Sequence, residues 1–114
     1  MQLEQQTCSV SIGKTLLSGR EIDGLLVQVP GWSLSGSEIR REFRLKNFRQ
    51  AMEFVNNVAS IANEQDHHPD IHISYNRVSL VLTTHKAGGL TLNDFILAAR
   101  IDLLIDDMKA KKAA

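Results

Sequence analysis

The chain has 114 residues, enough for one domain built on one core and too few for a second. Its residues are 43% hydrophobic and 23% charged, which excludes a disordered or membrane-embedded class, and no apolar run nears the ~18 residues of a membrane span. The 13 basic and 13 acidic residues cancel, so the broad basic footprint of a nucleic-acid binder is not expected.

In chain order, residues 1–17 lack periodicity, include Gly13, and read as an extended or loosely ordered arm ahead of a single domain over residues 18–108. The arm has no signal-peptide layout. It carries the one cysteine, Cys8, which excludes an internal disulfide and a cysteine metal pair; a reducing, cytoplasmic setting is expected. Ser18-Gly19-Arg20-Glu21 has the form of a capping box and predicts a short helix to about Gln28, with Ile22, Leu25 and Leu26 on one stripe and Pro30-Gly31 as its stop. Trp32 to Ser35 reads as a brief strand and Gly36-Ser37 as the turn after it. From Glu38 to Lys46 the residues alternate: Ile39, Arg41, Phe43 and Leu45 share one face, and Arg40, Glu42, Arg44 and Lys46 the other. That is a half-buried strand.

Asn47 is placed to cap a long helix to about Gln65, with Phe48, Ala51, Met52, Val55, Val58, Ala59 and Ala62 as its core stripe. Phe54 and Ile61 fall outside that stripe, and extra apolar residues there point to self-association. Ile71–Tyr75 and Arg77–Thr84 read as two strands joined closely around Asn76, and Gly88-Gly89 breaks the chain. Thr91-x-x-Asp94 resembles a second capping box and opens a helix through Phe95, Ile96, Ala99, Leu103 and Met108. Lys109, Lys111 and Lys112 lie in a basic tail over residues 109–114, cations suited to a helix end. The expected fold is α+β: a four-stranded antiparallel sheet with three helices on one face, in the order α-β-β-α-β-β-α.

All four histidines fall between positions 67 and 85. Imidazole exchanges protons near neutral pH, so the cluster marks candidate acid–base chemistry. His67 and His68 end the long helix before Pro69, which turns the chain out of helical geometry. His85 ends a strand just before the glycine break, where a scaffold presents reactive groups. His72 alternates with Ile71 and Ile73 and reads as a solvent-face residue. Each residue also has a structural explanation: a histidine near a helix C-terminus complements the dipole, Asp94 satisfies a cap, and Tyr75 packs a strand. A metal site built from His67, His68, Asp70 and His72 lacks ligand spacing of the HExxH or cysteine kind, so none is expected.

The pattern His67-His68-Pro69, five residues, Tyr75, nine residues, His85, eight residues, Asp94 resembles the signature of the pterin-4a-carbinolamine dehydratase family. The similarity extends through Pro30-Gly31-Trp32, REFRLKNFRQAMEFVNNVA and GGLTLNDFILAARID, roughly residues 18–106. Departures are Asn63, where many members have glutamate, Asp66, where asparagine or glycine is common, and Ile71. The resemblance implies a cofactor-free dehydratase that removes water from a 4a-hydroxytetrahydropterin. It implies His67, His68 and His85 as catalytic residues, with Asp66, Thr83, Thr84 and Asp94 joining them at the substrate. It also implies a homodimer or homotetramer. The alternative is a non-catalytic relative, a transcription coactivator or a Rubisco assembly factor, in which the histidine triad would be broken.

Overall fold

Hydrogen-bonding side chains set where the first two main helices begin. In this computed structural model, which describes residues 2–113 apart from the side chains of 111–113, Ser18 Oγ accepts from the Glu21 N–H at 3.2 Å and Glu21 accepts from the Ser18 N–H at 2.9 Å. That reciprocal box starts α1 (Gly19–Leu26), which ends two residues short of the expected Gln28. Asn47 Oδ1 accepts from the Gln50 N–H at 2.9 Å and starts α2 (Phe48–Gln65). The last helix, α3 (Leu92–Ala113), runs through the expected tail; Lys111 and Lys112 lie outside the described side chains.

The strands are β1 (Ser33–Ser35), β2 (Glu38–Arg44), β3 (Asp70–Ser74) and β4 (Arg77–Leu82), in the order β1-β2-β4-β3 with every neighbour antiparallel. This is the α+β arrangement expected from the sequence. Register puts Ile39 opposite Leu82, Phe43 opposite Val78 and Ile71 opposite Leu80, so one face is apolar. On the other face Glu42 and His72 both pair with Ser79, and His72 is exposed as the alternation predicts.

The core is joined across the sheet by aromatic rings. Phe43 lies 4.8 Å from Phe54 and 6.1 Å from Trp32, ring centre to ring centre. Trp32 Nε1 donates to Asp102 Oδ1 at 2.8 Å, and Arg41 Nη1 donates to the same oxygen at 2.6 Å. The guanidinium carbon also sits 4.5 Å from the Phe43 ring centre. A Cβ on Gly31 would come within 2.9 Å of that guanidinium, so a side chain there would force Arg41 to shift. Burial pushes the Asp102 carboxyl above the ordinary carboxylate range, against the pull of Trp32 and Arg41.

Several expectations are corrected by packing. In α2 the buried residues are Ala51, Phe54, Val58, Ala62 and Gln65, so Phe54 belongs to the core and Phe48 is half exposed. The helix is turned from the stripe drawn on the sequence toward Phe43, whose ring packs on that of Phe54. Leu103 is half exposed; the buried line in the second half of α3 is Ile101, Ile105 and Met108. Phe95 to Ala99 are all buried, leaving that first stretch of α3 no wet face. Tyr75 lies beyond β3 in the hairpin turn, at φ 52° and 66% exposed, rather than packed in a strand.

The arm is not loosely ordered. Single 3-10 turns form at Leu3–Gln5 and Ile12–Lys14, the first of them against α3. Leu3 is buried in the core, and Arg100 donates from Nε and Nη2 to the Gln6 carbonyl at 3.2 and 2.6 Å. One apolar anchor has no period, so pattern reading could not find it.

The rotated α2 face makes a direct prediction. Phe54→Ala should cost about 3–5 kcal/mol in urea unfolding, whereas Phe48→Ala should cost less than about 1 kcal/mol. Equal losses would contradict this packing.

Candidate active site

The end of α2 sends its two histidines in different directions. Asp66 takes the left-handed conformation at φ 52°, ψ 41°, and the His67 N–H bonds back to the Ala62 carbonyl at 3.1 Å. This is a Schellman-type ending, and Pro69 then prevents further helix. His67 turns inward, its side chain only 11% exposed, and its Nε2 lies 2.6 Å from Asp94 Oδ1. His68 is exposed, and its Nε2 lies 3.0 Å from Asn63 Oδ1. The asparagine at position 63 therefore takes up a ring contact with His68 through a neutral oxygen.

Asp94 is fully buried at the start of α3. Its Oδ2 accepts from the Thr91 N–H at 2.9 Å and from the Thr84 hydroxyl at 2.8 Å, and Thr84 and Thr91 Oγ1 are 2.9 Å apart. The predicted capping box is therefore half formed: the carboxylate caps the helix, while the Thr91 hydroxyl turns to Thr84. Because a carboxylate only accepts, the His67 Nε2–H is the donor to Oδ1, which leaves Nδ1 as the ring's free nitrogen. The same two oxygens thus serve as a helix cap and as the support for a histidine.

Thr84 also closes the base of the loop that bears His85. Its N–H bonds to the Gly89 carbonyl at 3.0 Å, and the 3-10 turn His85–Ala87 lies between them. Gly88 ends that turn at φ 79°, a conformation glycine adopts without strain. His85 is exposed on this tied loop, next in sequence to a residue that bonds the His67-bearing carboxylate.

The structure thus joins His67, Thr84 and Asp94 directly, with His68 and His85 flanking them. Asp66 is exposed and serves the helix end. Thr83 gives its hydroxyl to the Ser37 carbonyl at 2.7 Å and ties β4 to the β1–β2 turn. Tyr75 sits at the opposite end of β3 from the histidine pair, and His72 faces the far side of the sheet. Thr91 joins the cluster through its bonds to Thr84 and Asp94, and its place in the capping pattern makes it visible in the sequence. An open groove of about 500 Å³ on the far face is lined by Arg40, Glu42, His72, Ser79 and neighbours, and by none of His67, His68 and His85. Among the described residues, no three His, Cys, Asp or Glu side chains are grouped to hold a metal ion, and no helix is long and apolar enough to cross a membrane.

Fold and site together define an α+β protein with a histidine–carboxylate cluster where the second helix, the end of β4 and the last helix meet. The chain belongs to the pterin 4 alpha carbinolamine dehydratase family, whose model matches residues 15–104. It is 43% identical over 104 residues to a provisionally named pterin-4-alpha-carbinolamine dehydratase of Chromobacterium violaceum, spanning 91% of this chain and 96% of that one. A protein of the same provisional name from Chloroflexus aurantiacus is 59% identical over 86 residues, 75% of this chain and 92% of its own. Among solved structures, a transcriptional coactivator/pterin dehydratase from Brucella melitensis superposes with a TM-score of 0.75 at 33% identity, covering 78% of this chain and 97% of that one.

If Asp94 organises this cluster, Asp94→Ala should lower stability in urea by at least about 2 kcal/mol, because it strands the Thr84 hydroxyl and the Thr91 N–H. Asp94→Asn should cost less, since it keeps the shape and one acceptor. An unchanged unfolding midpoint for the alanine variant would show that the cluster is not a fixed unit.

Proposed function

We propose that this protein dehydrates a 4a-hydroxytetrahydropterin to the quinonoid dihydropterin. It would thereby recycle the pterin cofactor of aromatic amino acid hydroxylases in the cytoplasm. The observation that carries this reading is the 2.6 Å bond from His67 Nε2 to buried Asp94, beside the tied loop that presents His85. Family membership supplies the reaction class.

The reaction breaks the C4a–O bond, releases the oxygen as water, and removes a proton from ring nitrogen N5. Hydroxide is a poor leaving group, so the oxygen must be protonated as it departs. His67 is suited to proton exchange because Asp94 fixes its orientation and leaves Nδ1 free. In this reading His67 and His85 serve as acid or base at the C4a hydroxyl, one of them giving the departing oxygen its proton. His68, on the exposed side of the same chain turn, holds the pterin ring and takes the N5 proton. Asp66, Thr83 and Thr84 complete the substrate surface. General acid–base assistance of this kind is worth ~10²–10⁴-fold. The elimination is redox-neutral, and the residues named account for each proton without a cofactor.

The enzyme reading is favoured over a purely non-catalytic role because the histidine triad and its carboxylate are intact. The test is dehydration of freshly generated 4a-hydroxytetrahydropterin, followed by ultraviolet absorbance. Wild type should outpace buffer, and His67→Ala and His85→Ala should each lose at least tenfold. Wild type no faster than buffer overturns the dehydratase.

The assembly we assign is a homodimer or homotetramer. Phe48, Ile73 and Tyr75 are 50%, 41% and 66% exposed on α2 and the β3 hairpin, and β3 is an edge strand with an unpaired side. Sedimentation equilibrium should give two or four times the 12.7 kDa chain mass, and Phe48→Glu should shift it toward one. A monomeric wild type at all loading concentrations would refute this.

A further inference from the structure

The arm touches both halves of the histidine cluster. The Cys8 N–H donates to Gln65 Oε1 at 2.9 Å, two residues before His67. The Cys8 thiol lies 3.5 Å from the carbonyl oxygen of Asn93, the residue before Asp94. Asn93 clasps the next arm residue from both sides: its Oδ1 accepts from the Ser9 N–H at 3.1 Å, and its Nδ2 donates to the Ser9 carbonyl at 2.8 Å. Farther along, the arm's Ile12–Lys14 turn lies against the His85–Ala87 turn. A Cβ on Gly89 would come within 3.1 Å of Leu16, and the Leu17 N–H bonds to the Leu90 carbonyl at 3.0 Å. One short segment therefore spans from the end of α2, across the start of α3, to the His85 loop.

The chemistry of the clasp indicates its purpose. Gln65 and Asn93 are 7% and 6% exposed, and buried amides are costly unless paired. Apolar residues would hold an arm by burial alone, but apolar contacts can slide. Directional bonds from two amides to consecutive arm residues fix both register and distance.

We propose that Cys8–Leu17 is a strap that sets the spacing between the His67–Asp94 pair and His85, and that Asn93 is its positioning residue. The catalytic part of this inference rests on the dehydratase reading above. Displacement of a reacting group by about 1 Å can cost ~10²-fold in rate, so a strap that holds two histidine segments acts on turnover. Cys8 reports on the strap independently of activity. It is buried, and burial pushes its thiol up to about 11, so the docked thiol should react slowly with alkylating reagents near neutral pH.

The experiment compares wild type, Asn93→Ala and Gln65→Leu, the second keeping the site filled in case the first fails to fold. Three measurements are made: Cys8 alkylation by iodoacetamide, hydrogen exchange at the Ala87, Gly88 and Gly89 amides, and steady-state kinetics of dehydration for kcat and KM. Both variants should show at least tenfold faster alkylation and exchange. Their kcat should fall at least tenfold while KM changes less than threefold. Ile105→Val, a core change elsewhere on α3, should keep kcat within twofold and so control for stability. Faster alkylation with kcat within twofold of wild type overturns the positioning role, and unchanged exchange overturns the strap itself. Should wild type prove inactive, the dehydratase reading fails separately, and exchange alone decides whether the arm holds the His85 loop.

Discussion

Asp94 is a carboxylate with no exposed surface, and a buried charge is tolerated only where partners replace the water it has lost. Three donors do so: the ring of His67, the hydroxyl of Thr84 and the backbone of Thr91. These come from the end of α2, the end of β4 and the start of α3. Satisfying one side chain therefore fixes the meeting point of three elements. The helix dipole of α3 adds to the attraction at that position. The site's geometry is a consequence of paying this desolvation cost in full.

A second carboxylate on the same helix anchors the other side of the sheet. Asp102 lies eight residues after Asp94 on α3, about 12 Å along the helix axis. It collects Trp32 from the start of β1 and Arg41 from β2 on a single oxygen. The helix is thus tied to the sheet at two places, near the inner strand β4 through Asp94 and at β1–β2 through Asp102. Aromatic packing of Trp32, Phe43 and Phe54 fills the space between layers. Polar groups set the helix's register against the sheet, and the apolar core supplies the driving force.

The elements were legible in the sequence because their signals are local. Ser18 and Asn47 cap the helices that they precede, and alternation in β2 separates Phe43 from Arg44 across the sheet. The rotation of α2 was not legible. Its apolar residues cover more than one face, so periodicity alone allowed a stripe through Phe48 instead of Phe54. Which face is buried depends on Phe43, supplied by a different element. Tyr75 departs from its expected strand for a similar reason: its residue type favours strands, while the hairpin places it at positive φ.

The sequence by itself determined the order of elements, the family and the candidate histidines, because caps, alternation and fixed spacings act over a few residues or repeat as a pattern. Tertiary structure decided which of those residues meet. Thr84 and Asp94 are ten residues apart, and His67 and Asp94 are 27 apart, so their contacts follow from sheet order and helix placement. The arm shows the limit most clearly. Leu3 and Cys8 carry no periodic signal, yet each is buried against residues far along the chain, where packing and hydrogen bonds make a short irregular segment part of the fold.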